Sequence, residues 1–148
     1  MVTVIGKIKG KERPRFVNGH TYTPNATKTY EKLIRDNYIK QCNKKHNGAV
    51  RVEIMAYYKI PKSYTKKRIK NILDGMEKPT KKPDVDNIIK IVLDSLNKIA
   101  YADDKQVVKV SLEKLYTKED ERIEFNVKEC GYEKKLLSKR EKKIKERN

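Results

Sequence analysis

Residues 82–104 read KPDVDNIIKIVLDSLNKIAYADD, and the periodicity inside this stretch decides how the chain folds. Ile88, Ile89, Val92, Leu93, Leu96 and Ile99 recur at intervals of three and four, the spacing that gathers apolar side chains on one side of an α-helix. The pattern predicts a helix from Asp86 to about Lys98 with one whole face buried. On either side the period drops to two. Val50, Val52, Ile54 and Ala56 alternate with Arg51, Glu53 and Met55; Val108, Val110, Leu112 and Lys114 alternate with polar neighbours, as do Ile123, Phe125 and Val127. Such alternation marks strands with one face on a core. The last two, either side of a turn at Thr117–Asp120, are expected to pair as a hairpin. The sum is a mixed α/β fold, a small mixed β-sheet flanked by helices.

The remaining segments fit around this frame. Val2, Val4, Ile5 and Ile8 suggest a first strand, and Gly10, Pro14, Gly19 and Pro24 punctuate a long loop after it. Thr27 reads as a helix cap followed by Tyr30, Leu33, Ile34, Tyr38 and Cys42 at helical spacing, ending around Asn47–Gly48. Pro61 stops the strand that begins at Val50. Between Lys62 and Lys82 eight basic residues face two acidic ones, with a thin stripe of Ile69, Ile72, Leu73 and Met76, so a short basic helix and a connector are expected. With 148 residues the chain has room for one domain, assigned to 1–131. Residues 132–148 are expected to be a basic tail or helix with only Leu136, Leu137 and Ile144 for anchorage, either a DNA tether or a solvated end.

Thirty-seven lysines and arginines against 20 acidic residues leave a formal charge of +17, which repels itself in isolation and calls for a polyanionic partner. Nucleic acid is the leading candidate. No apolar run approaches the roughly 20 residues of a membrane-spanning helix, and the start lacks the features of a secretory signal. A cytoplasmic protein without a membrane partner is expected. Cys42 and Cys130 lie in no zinc-ligand spacing and are expected to be reduced, while His20 and His46 are too scattered to complete a site. No Ser-His-Asp arrangement is supported by a motif.

The acidic residues of the opening stretch suggest a reaction. Phosphodiester hydrolysis needs a cation to polarise phosphoryl oxygens and activate water, and a hard ion such as Mg²⁺ prefers carboxylate oxygens. Asp84 and Asp86 supply two. In an extended lead-in their side chains point the same way, and Pro83 favours such an approach. Lys90 lies roughly 40° round the helix from Asp86, close enough to hold a scissile phosphate. Asp103 and Asp104 follow a short turn that can fold one carboxylate back beside the first pair. Asp94, about 80° from Asp86, is expected to pair with Lys90 or Lys98 and takes no catalytic role.

Each residue also has a simpler use. Asp84 or Asp86 could cap the helix, Lys90 could be a surface lysine, and Asp103 and Asp104 could be turn formers. Singly these are the commoner uses. Jointly they must account for five polar residues converging on one end of an apolar helix, which favours a site.

The segment closely resembles the signature of the RusA family of Holliday junction resolvases: an Asp-x-Asp-Asn step, a helix carrying Lys and Asp, and a closing Asp-Asp pair. Arg13-Pro14-Arg15-Phe16 resembles the family's RPRF loop, TYTPNATKTYEKLI (21–34) its first helix entry, and Ile60 to Tyr64 a further family segment. The likeness runs from Lys11 to about Val127. It implies that Asp84, Asp86 and Asp104 bind Mg²⁺, with Mn²⁺ as a substitute, that Lys90 assists catalysis, and that Asp103 and Asn87 support the site. It also implies a homodimer whose two active sites make paired nicks in a four-way junction, within a family often carried by prophages. One departure is Lys98, which replaces a glycine common after Leu-Asn in the family; Asn97 is expected to take the left-handed conformation instead.

Arg13, Arg15, Lys28, Lys62, Lys66, Lys67 and Arg68 are candidate phosphate contacts, which position DNA without reading its sequence. Phe16, Tyr22 and Tyr64 lie among them and could stack on opened bases or pack in the core. The reading is a Mg²⁺-dependent, structure-selective endonuclease acting on branched DNA in recombination and repair. Its rivals are a noncatalytic basic nucleic-acid-binding protein and a metal-dependent nucleotide phosphohydrolase.

Overall fold

The alternation read over Val50–Ala56 continues to Tyr58, and all five inward residues of β4 (Val50–Lys59) are buried, at 2% exposure or less. A strand hidden to this degree needs neighbours on both edges. In the computed structural model, which describes residues 1–130, it has them. Before it come β1 (Val2–Ile5), β2 (Arg15–Val17), β3 (His20–Tyr22) and α1 (Asn25–Gln41). After it come α2 (Lys66–Leu73), α3 (Val85–Leu96), a 3-10 turn (Asp104–Gln106), β5 (Val107–Thr117) and β6 (Arg122–Glu129). The fold is mixed α+β, with a main sheet of order β1-β6-β4-β5 and a separate β2-β3 ribbon. Residues 132–148, expected to form a basic tail or helix, lie outside the described residues.

The hairpin expected of the last two strands does not form. β5 runs parallel to β4 along one edge and β6 antiparallel along the other, so β4 is threaded between them. Two strands that flank a third stand about 10 Å apart, a gap that four extended residues span. Residues 118–121 arch over the end of β4 in this way. Ile60 N–H donates to the Thr117 carbonyl at 3.0 Å, and the Glu121 carboxylate accepts from Lys59 N–H at 3.2 Å and Ile8 N–H at 3.1 Å. The parallel β4–β5 pair requires a long crossover, and the stretch that holds α2 and α3 supplies it. A register shift between Val50 and Arg51 leaves Val108 57% exposed, so it is not on the inner face with Val110 and Leu112.

One core joins α1 and α3 to the sheet. Tyr30, Ile34 and Tyr38 of α1 and Ile88, Ile91, Val92 and Leu96 of α3 pack with Val4, Val52, Ile54, Ile123 and Phe125. The Tyr38 ring lies over Phe125 with centroids 6.4 Å apart. A full burial of this kind stabilises by about 1.5–3 kcal/mol per large side chain.

α1 departs from its expected bounds. Pro24 is the N-cap, Thr27 is buried in the first turn, and the helix ends at Gln41 rather than near Asn47. Asn43 provides the stop: at φ 53° it turns its N–H back to the Tyr38 carbonyl at 2.8 Å, the left-handed ending that Asn tolerates. The long loop after β1 contains the β2–β3 ribbon, closed by Asn18 (φ 52°) and Gly19 (φ 77°), both in the left-handed region that a two-residue hairpin turn requires. Cys42 and Cys130 are free thiols, and no described helix is long and apolar enough to cross a membrane.

Candidate active site

α3 begins one residue earlier than the periodicity predicts. Val85 is its first residue, Asp84 is the N-cap in extended conformation, and Asp86 already lies in the first turn. The alignment expected of two aspartates in an extended lead-in therefore does not apply; a cap and a helical position set them. Asp84 contributes its carbonyl to Ile88 N–H at 3.1 Å, but its side chain makes no capping bond. Both carboxylates are exposed at the positive end of the helix dipole, where negative charge is favoured. Lys90 is exposed one turn further on. Among the described residues, Asp84, Asp86, Lys90 and Asp104 have no ion-pair partner within 4.0 Å.

The closing aspartates divide their work. Asp103 caps the 3-10 turn, its carboxylate accepting from Lys105 N–H at 2.9 Å. That bond, then the Asp104 side chain and the Lys105 and Lys98 charges, holds its carboxyl below the usual range. Gln106 closes the capping box: its Oε1 accepts from Ala102 and Asp103 N–H at 2.8 and 3.1 Å, and its Nε2 donates to the His46 and Gly48 carbonyls. Asp104 is left exposed on a turn that packs against α3. Beneath it Tyr101 is buried, donating to the Leu93 carbonyl at 2.7 Å; burial first, then the nearby Asp104 and Asp94 charges, push its phenol upward. The structure thus places Asp104 on a turn packed against α3. It does not gather the expected carboxylates into a preformed cluster: among the described residues no three His, Cys, Asp or Glu side chains stand together as a cation site.

The exit from α3 differs from expectation. Asn97 has φ −59°, and Lys98 itself takes the left-handed conformation at φ 68°. The position where the resembling family carries glycine is the one that needs it. Asp94 pairs with neither Lys90 nor Lys98 but with Lys11, at 3.3 Å.

Lys11 and Gly10 were not legible as site residues. Lys11 donates from its side chain to Glu31 of α1 as well as to Asp94 of α3, and its N–H bonds the Asn87 carbonyl at 2.9 Å. Its ammonium is partly buried, which opposes the charge, yet the two carboxylates raise it above its usual range. Gly10 lies so close to α3 that an added Cβ would stand 2.8 Å from the Cβ atoms of Asn87 and Pro83. The segment after β1 is therefore locked onto the residues that flank Asp84 and Asp86. No periodicity signals such a contact; the Asp103-x-x-Gln106 spacing, by contrast, is a capping-box pattern readable in sequence.

Of the candidate DNA contacts, Arg13 and Arg15 sit on and beside β2, Lys28 in the first turn of α1, Lys62 ahead of α2, and Lys66 and Lys67 in its first turn, all exposed. Arg68 is already engaged, forked onto Glu77 with its closest bond at 2.8 Å and stacked 3.7 Å over the Tyr64 ring. Tyr64 packs edge-on against Tyr116, whereas Phe16 and Tyr22 are exposed at 71% and 44%.

Two comparisons bear on this arrangement. The family model described as Endodeoxyribonuclease RusA matches residues 6–128, nearly all of the described chain. The chain is also 34% identical over 141 residues to Uncharacterized protein YqaN of Bacillus subtilis (strain 168), covering 87% of this chain and 95% of that protein. The match spans the Lys11 anchor, the start of α3 and the 3-10 turn alike, and the chain belongs to the RusA endodeoxyribonuclease family.

Proposed function

We propose that this protein is a Mg²⁺-dependent endonuclease that resolves four-way DNA junctions by paired symmetric nicks, acting as a homodimer. The observation that carries the reading is a set of exposed carboxylates, without an ion-pair partner among the described residues, at the start of α3 and on the turn packed against it, inside the RusA match. In a chain with a +17 excess, acids that no described cation pairs are available for a metal ion.

Asp84, Asp86 and Asp104 are the residues that would hold the ion, since all three offer the hard oxygen donors it prefers. When bound, Mg²⁺ would polarise the scissile phosphoryl group and lower the pKa of an attacking water. Lys90, one turn from Asp86, offsets the charge that grows on the phosphoryl oxygens. Asp103 and Gln106 hold the turn that carries Asp104, and Gly10 and Lys11 fix the segment beside the start of α3. Exposed Arg13, Arg15, Lys28, Lys62, Lys66 and Lys67 bind backbone phosphates. A four-way junction is two-fold symmetric, so a two-fold dimer matches it with one active site per nick.

The test is incubation of the purified protein with a synthetic four-way junction with and without Mg²⁺. Wild type is expected to give symmetric paired nicks only with the ion. Asp86→Asn is expected to bind the junction and leave it intact. Absence of metal-dependent cutting by wild type would instead support a noncatalytic binder, and turnover of mononucleotides in preference to the junction a nucleotide phosphohydrolase.

A further inference from the structure

We infer that the β2–β3 ribbon engages the branch point of the DNA, with Phe16 stacking on bases exposed at the crossover. This deepens the junction-nuclease reading and rests on it. The ribbon leaves Phe16 71%, Val17 50% and Tyr22 44% exposed, apolar surface that no described residue covers. Its pairing sets Arg15 with Tyr22 and Val17 with His20 on one face and Phe16 with Thr21 on the other, so the Phe16 ring projects from the face opposite Arg15 and Tyr22, and basic and aromatic residues adjoin along the strand. Glu12 is the acid nearby, in a long 3.8 Å contact with an Arg15 side chain that remains 65% exposed. Basic groups interleaved with aromatics suit a nucleic acid whose bases are open.

The position of the ribbon selects the branch point. Its upstream root is bolted to the first turn of α3 by the Lys11 N–H bond to Asn87 and by the close approach of Gly10. Its downstream end runs through Pro24 into α1. Phe16 lies five steps along the chain from Lys11, so its Cα stands within about 17 Å of the Cα of the residue anchored to that helix turn. Half a turn of duplex is of that length. Stacked duplex offers no free base face, whereas a crossover does. A second copy of this chain is a poor occupant, because a chain of formal charge +17 would bring one basic surface against another at the ribbon.

The experiment uses a four-way junction carrying 2-aminopurine at the crossover, with EDTA present so that no strand is cut, and a linear duplex of equal length as the reference. Wild type is expected to raise the fluorescence several-fold. Phe16→Ala is expected to abolish the rise and to lower junction affinity about tenfold, with duplex affinity unchanged within about twofold. Phe16→Trp is expected to restore both, which separates stacking from loss of fold. The inference is overturned if Phe16→Ala keeps the fluorescence rise, if it weakens junction and duplex binding equally, or if it changes the sedimentation coefficient, which would make the ribbon a subunit contact. Wild type that nicks junctions without a fluorescence rise sinks this inference and leaves the proposed function standing. Wild type that binds junctions no better than duplex sinks both.

Discussion

At the scale of single residues, the two that matter most beyond the aspartates act through backbone geometry. Gly10 has no room for a methyl group, because the atoms it would strike belong to a proline ring and a helix backbone-proximal carbon rather than to the swinging end of a long side chain. Gly10→Ala is expected to cost about 1–3 kcal/mol, the range for overpacking, and to displace the start of α3. Thermal unfolding should fall by roughly 2–4 °C per kcal/mol, and junction cleavage by more than tenfold, whereas an unchanged melting temperature would contradict the contact. Lys98 makes the opposite case. A non-glycine residue at φ 68° carries about 1 kcal/mol of strain, so Lys98→Gly is expected to raise the melting temperature by roughly 2–4 °C. Because Lys98 is exposed and makes no ion pair among the described residues, loss of stability on this change would refute the strain argument.

At the scale of elements, α1 and α2 share a local conflict. Neither has an acidic residue in its first turn, and α2 begins with Lys66, Lys67 and Arg68 at the end of the dipole that disfavours cations. Thr65 compensates in part by capping α2, its hydroxyl accepting from Arg68 N–H at 3.2 Å. Sequences that break a local rule in this manner do so where function requires it. Replacing Lys66 and Lys67 together by Glu is therefore expected to stabilise α2 by about 0.3–1 kcal/mol per residue while weakening DNA binding. If both lysines neutralise phosphates, the slope of log affinity against log salt becomes shallower by about 1.8. An unchanged slope would remove α2 from the DNA interface.

At the scale of the whole molecule, an ion held by the proposed carboxylates would couple metal binding to stability. An ion that binds the folded chain but not the unfolded one stabilises it by mass action, about 2.7 kcal/mol at one hundred times its dissociation constant. Titration with Mg²⁺ is expected to raise the melting temperature of wild type at constant ionic strength, and Asp86→Asn is expected to flatten the curve. Equal responses from the two proteins would exclude Asp86 as a ligand, independently of any cleavage assay.

The sequence by itself determined most of the elements and the candidate residues of the site, though the β2–β3 ribbon was read as loop. Strand β4 and helix α3 were legible because their burial is one-sided and periodic, and Asp84, Asp86, Asp103 and Asp104 because acids stand out in a basic chain. The Asn18-Gly19 turn and the Asp103-x-x-Gln106 box were equally local, with signals that short-range rules can read. Only the tertiary structure decided the partners. Whether β5 and β6 pair or admit β4 between them, whether Lys11 bridges Glu31 and Asp94, and whether Gly10 abuts Pro83 depend on contacts between residues distant in the chain. Periodicity reports which face of an element is buried and carries no information about what is buried against it.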